Sequence, residues 1–62
     1  MEDPRFRAGD TVRILQGANE NAIGVVDHSV LSSGEWLYLV QRGEAASWVE
    51  EDRLVLEASA ET

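Results

Sequence analysis

Three places along the chain carry side chains that could do chemistry. Asp27 and His28 stand side by side, as a proton shuttle or half of a metal site would need, and His28 is the only histidine. Ser32 and Ser33 precede Gly34, a place where a turn would display a nucleophile. Glu50, Glu51 and Asp52 place three carboxylates in a row. None meets the spacing its chemistry demands. Metal sites need three or four converging ligands, and the chain has no cysteine and no second histidine to join His28. Paired-carboxylate hydrolysis needs two acids facing each other across a cleft, whereas these are consecutive and read as a solvated surface turn. Serines beside a glycine are ordinary turn formers. Gly17 and Gly24 are followed by no lysine and no helix start, so they make no phosphate loop. The chain is therefore expected to be no enzyme, to hold no cofactor and no metal, and to carry His28 as a solvent-facing residue at a strand end.

The elements that hold these residues must fit in 62 residues. A domain of that size buries only about 60% of the surface its unfolded chain exposes, which leaves no room for a deep catalytic cavity. With 44% hydrophobic and 27% charged residues the composition is that of a globular chain rather than a disordered one. No apolar run approaches the roughly 20 residues of a membrane span, and "MEDPRFR" lacks the apolar core of a secretory signal. The expectation is a cytoplasmic protein that does not engage a membrane. Without cysteines there is neither a disulfide framework nor a thiolate zinc site, so stability has to come from the apolar core or from a partner. The net charge of −7 is concentrated in the C-terminal third, where Glu44, Glu50, Glu51, Asp52, Glu57 and Glu61 face Arg53 alone. All five basic residues are arginines.

Periodicity predicts strands. "TVRIL" alternates, with Val12 and Ile14 on one face and Thr11 and Arg13 on the other. "QGANENA" reads as a loop, because Gly17, Asn19 and Asn21 tolerate positive φ or bond to nearby backbone. "IGVVDHSV" is a second strand in which Gly24 marks a bulge or a close backbone approach. After a turn at "LSSGE", "WLYLVQ" forms a third strand that is apolar on both faces, with Trp36, Tyr38 and Val40 alternating against Leu37 and Leu39. "RGEAA" turns the chain into a short strand at "SWV", "EEDR" forms one helical turn, and "LVLE" is the last strand. A helix over residues 44–60 is the competing reading, but its apolar residues hold no stable face. Five short strands between glycine-bearing turns point to a small all-β barrel with one helical turn before the last strand, since closure removes exposed edges. Residues 1–5 are expected to be a flexible N-terminus, 6–57 the barrel and 58–62 a disordered tail.

"GDTVRILQGANENAIGVVDHS" resembles a KOW motif of the SH3-like small barrels. Gly9, Asp10, Val12, Ile14, Gly17, Gly24 and Val26 stand where that pattern has its glycine-aspartate turn, its first strand and its two later glycines. The ending "WVEEDRLVLE" is similar to that of the electron-transport accessory barrels, which close on an aromatic, an acidic pair, a leucine and a short strand. The resemblance spans residues 6–57 and implies a five-stranded SH3-like barrel. It implies little about function, because such barrels serve many roles. KOW modules that touch RNA usually carry an aromatic or basic residue in the loop after the first glycine, where this chain has Ala18, Asn19, Glu20 and Asn21. Nucleic-acid affinity rests largely on Lys and Arg at phosphates, which an acidic loop repels. The basic docking surface expected of the electron-transport accessory barrels is absent as well.

Aromatics are the remaining lead. Trp36, Tyr38 and Trp48 lie on the two central strands of the expected barrel. With Phe6 the only further ring beyond these three, a methyl-lysine cage is disfavoured. A barrel this small has one interior, so one alternate set of "WLYLV" must reach the surface: Trp36 with Tyr38, or Leu37 with Leu39. An exposed apolar patch of this kind marks an interface. The expected function is a non-catalytic protein-interaction module, an accessory subunit or a homo-oligomer. Its binding residues would be Trp36, Leu37, Tyr38, Leu39 and Trp48, with an acidic rim at Glu50, Glu51 and Asp52. The alternative is a KOW-type factor that touches nucleic acid or the ribosome or polymerase around it.

Overall fold

The computed structural model describes residues 3–60. Five antiparallel strands form one sheet: β1 (Thr11–Ile14), β2 (Ile23–Ser32), β3 (Glu35–Arg42), β4 (Ala45–Glu50) and β5 (Leu54–Ala58). A single 3₁₀ turn, Glu51–Arg53, stands between β4 and β5. The all-β expectation holds, down to the helical turn before the last strand, and residues 44–60 form no long helix. Spatial order is β4-β3-β2-β1-β5, so β4 and β5 are the two edges. The sheet is not closed, which corrects the expectation of a barrel without edges. Laid flat, five strands would hold β4 and β5 about 19 Å apart, while three residues of 3₁₀ turn advance the chain only about 6 Å. The sheet must therefore coil until its edges approach, yet the turn sends β5 onto β1 rather than onto β4.

Period-two alternation decides what the coiled sheet encloses. Val12 and Ile14 of β1, Val26 of β2, Tyr38 and Val40 of β3, Val49 of β4 and Leu54 of β5 form the core with Phe6, which precedes the first strand. Register brings these together, with Tyr38 opposite Val49, Val26 opposite Val40 and Ile14 opposite Leu54. The Phe6 ring meets Tyr38 edge-on, 5.2 Å between centroids at 76°, an arrangement favoured by the ring quadrupoles. Gly24 sits where β2 approaches β3 so closely that a Cβ would lie 2.5 Å from the Gln41 carbonyl oxygen and 2.6 Å from Val40 Cγ1. That is the close approach expected of it, and the bulge of β2 falls elsewhere, between Val26 and His28.

The turns follow their residues. β2 runs through Ser32, so its connection to β3 shortens to Ser33 and Gly34, at φ 52° and 81°. Positive φ at both central residues is the primed geometry that matches strand twist. In the β1–β2 loop Asn21 takes φ 71° and its N–H donates to the Ile14 carbonyl at 2.6 Å.

One buried acid ties the ends of the described chain together. Asp10 is 6% exposed. Its Oδ2 accepts the Arg7 N–H at 2.9 Å and its Oδ1 accepts the Ala60 N–H at 2.8 Å. These two amides hold its carboxyl below the usual range, that of Ala60 foremost. Of the ends expected to be flexible or disordered, residues 1, 2, 61 and 62 lie outside the described residues; Ala58 pairs with Thr11 in β5. Among the described residues no helix is long and apolar enough to cross a membrane.

Candidate functional site

The alternation of β3 resolves which set faces out. Tyr38 and Val40 are fully buried and Trp36 packs against the core from the same side, so Leu37 and Leu39 take the outer face. β4 continues that face, because Trp48 lies opposite Leu39 and Glu50 opposite Leu37. Trp48 is 50% exposed.

β2 completes the face through a bulge. Val26 lies opposite Val40, but the next pair is His28 opposite Leu39, so Asp27 is an extra residue. One inserted residue exchanges the faces of every side chain beyond it. His28 and Val30 consequently point out, beside Leu39 and Leu37, rather than into the core. The outer rows read Val30, Leu37, Glu50 and His28, Leu39, Trp48. Across the second row the His28 ring meets Trp48 edge-on at 5.3 Å and 82°. Asp27 at the bulge places Oδ2 2.6 Å from His28 Nδ1, and both side chains are about half exposed. His28 faces solvent as expected, although in the middle of β2, beside Leu39, and not at a strand end.

The remaining residues expected at the site lie apart from this face. Tyr38 is unavailable to a partner: its hydroxyl accepts the Arg5 N–H at 2.8 Å and the Phe6 N–H at 3.3 Å, and donates to Glu51 Oε2 at 2.5 Å. Burial and then the neighbouring carboxylate raise its pKa, while the hydroxyl's hydrogen bond lowers that of Glu51. Glu51 is thus partly occupied as a structural acceptor. It still lines, with Gly34, Glu35, Trp36, Glu50 and Asp52, an open cleft of about 270 Å³ beside the β2–β3 turn. Trp36 and the three consecutive acids meet there, around the edge from Leu37, Leu39 and Trp48. Glu50 belongs to both surfaces and is paired with Arg53 Nε at 3.2 Å.

This arrangement gathers apolar side chains and carboxylates on two adjoining surfaces. Ser32 and Ser33 end a hairpin, and among the described residues no three of His, Asp and Glu gather to hold a metal ion. What it offers is area: Val30, Leu37, Leu39 and Trp48 contiguous on one side of three strands, with carboxylates at the end. No protein-family model, curated protein or solved structure matches the chain.

Sequence reasoning missed the part played by His28 and Val30. In "IGVVDHSVLS" Val26 and Val30 still fit one alternation, so the change of phase shows only in the pairing with β3.

Proposed function

We propose that this domain is a non-catalytic protein-interaction module, an accessory unit of a larger assembly, built on the small-barrel plan that its KOW-like motif resembles. The observation that carries the reading is Trp48, half exposed on a three-stranded outer face beside Leu37, Leu39 and Val30. Large apolar side chains gathered on one side of a small soluble domain are interface material, with tryptophan the commonest anchor. The strand order β4-β3-β2-β1-β5 and the 3₁₀ turn before β5 support the small-barrel plan. The acids at Glu50, Glu51 and Asp52 form a rim that speeds encounter with a basic partner more than it adds affinity. The β1–β2 loop, with Glu20 and no ring, speaks against the nucleic-acid alternative.

The test compares tagged wild-type protein with a Leu39→Ser/Trp48→Ser variant in quantitative capture from native extract, with circular dichroism to show that the variant folds. Loss of specific partners by the folded variant supports the reading. Unchanged capture removes the outer face from it, and salt-sensitive binding of single-stranded RNA by the wild type returns the alternative.

A further inference from the structure

β4 is an edge strand with no proline, lysine or bulge to blunt it, and its one charged residue, Glu50, stands at its end. It pairs with β3 alone, in an uninterrupted register from Leu37 opposite Glu50 to Arg42 opposite Ala45. Its other side is not covered by β5, because the sheet stays unclosed. A groove of about 390 Å³ opens there, between residues 16–19 of the β1–β2 loop and Ser47–Glu50, with Arg53 in its wall.

We infer that β4 accepts an extended basic segment of another protein as a sixth strand. Main-chain hydrogen bonds along an edge give such a complex its affinity, and alternate side chains of the added strand give it specificity. One alternate set would lie beside Trp48 on the outer face and the other would enter the groove. Charge selects the occupant. Glu44, Glu50, Glu51 and Asp52 flank β4 against Arg42 and Arg53, and these arginines already engage Ser47 Oγ and Glu50. A second copy of the chain is the poorer fit: antiparallel self-pairing centred on Ser47 sets Glu44 opposite Glu50, and each chain brings a net charge of −7. The inference rests on the interaction-module reading but uses the backbone edge, where that reading uses the outer face.

The experiment titrates ¹⁵N-labelled protein with a short synthetic peptide of alternating arginine and valine. Controls are the same peptide N-methylated along its whole backbone, and one with glutamate in place of arginine. Expected are amide shifts concentrated at residues 16–19 and 45–50, and binding that weakens as salt is raised. The methylated twin should bind at least about tenfold more weakly, since several main-chain hydrogen bonds are lost. No binding, equal binding by the methylated or glutamate peptide, or shifts confined to β2 and β3 would each overturn the inference. Concentration-dependent self-association mapped to β4 would overturn it too, by giving the edge to a second copy. The Leu39→Ser/Trp48→Ser capture experiment is independent, so a failed edge leaves the outer-face reading to stand or fall alone.

Discussion

The hydroxyl of Tyr38 donates to Glu51 Oε2 across 2.5 Å, tying the most buried ring of β3 to the 3₁₀ turn that precedes β5. The Arg5 amide, which reaches the hydroxyl, also donates to the same carboxylate oxygen at 2.9 Å. The pair therefore fastens the segment before β1 as well. Tyr38→Phe keeps the ring and removes the hydroxyl, leaving the Phe6 N–H without its acceptor and the Glu51 carboxylate without its strongest donor. A loss of about 1–3 kcal/mol is expected, measured by urea unfolding. The Tyr38→Phe/Glu51→Gln double variant should lose less than the sum of the two single changes.

Stability should be highest at neutral pH and fall at both ends. Asp10 and Glu51 titrate below their ordinary values when folded. Their contribution is fully present above about pH 5 and is lost as pH falls through the ordinary and then the lowered folded values. Tyr38 is raised, so its contribution is present below about pH 10 and is lost as pH rises through the raised value. Urea midpoints across a pH series should show both limbs, with Asp10→Asn flattening the acid limb and Tyr38→Phe the alkaline one.

Gly24→Val should destabilise the domain by at least about 1–3 kcal/mol through overpacking. The nearest obstacle is the Gln41 carbonyl, a backbone atom that cannot swing aside as a flexible side chain would. Gly24→Ala should be costly for the same reason. A melting temperature unchanged in either variant would contradict the close approach of β2 to β3.

Alanine at Leu37 and Leu39 should leave the fold largely intact, while alanine at Tyr38 and Val40 should cost roughly 2–5 kcal/mol per large side chain and unfold the chain. Thermal melts of the two double variants read the difference directly. Equal loss from both would mean that the outer leucines are as structural as the inner pair.

Most of the fold was legible because a strand writes its burial into adjacent residues. The alternation of Thr11–Ile14 predicts its faces, Gly24 announces a position without room, and the acids before "LVLE" mark a turn. The unread parts depend on partners distant in sequence. Asp10 looks like a turn former beside Gly9; that it accepts the Ala60 amide depends on β5 returning to β1. The choice between Leu37 with Leu39 and Trp36 with Tyr38 was open because both sets are apolar, and only the enclosed volume decides. The bulge at Asp27 had no compositional mark, so half of the outer face stayed hidden with it.

The strand order also sets a sequence of events in time. β2, β3 and β4 are neighbours both in the chain and in the sheet, joined by hairpins whose turns close locally. The β1–β5 ladder, by contrast, pairs Thr11 with Ala58 across almost the whole described chain. Loop-closure entropy has to be met before such a distant contact returns anything, which slows folding in proportion to how non-local the pairings are. Refolding is thus expected to start in the meander that carries Trp48 and to finish when β5 docks on β1. Until then both Val12 and Ile14 lack their cover, and the chain is at its most prone to aggregate.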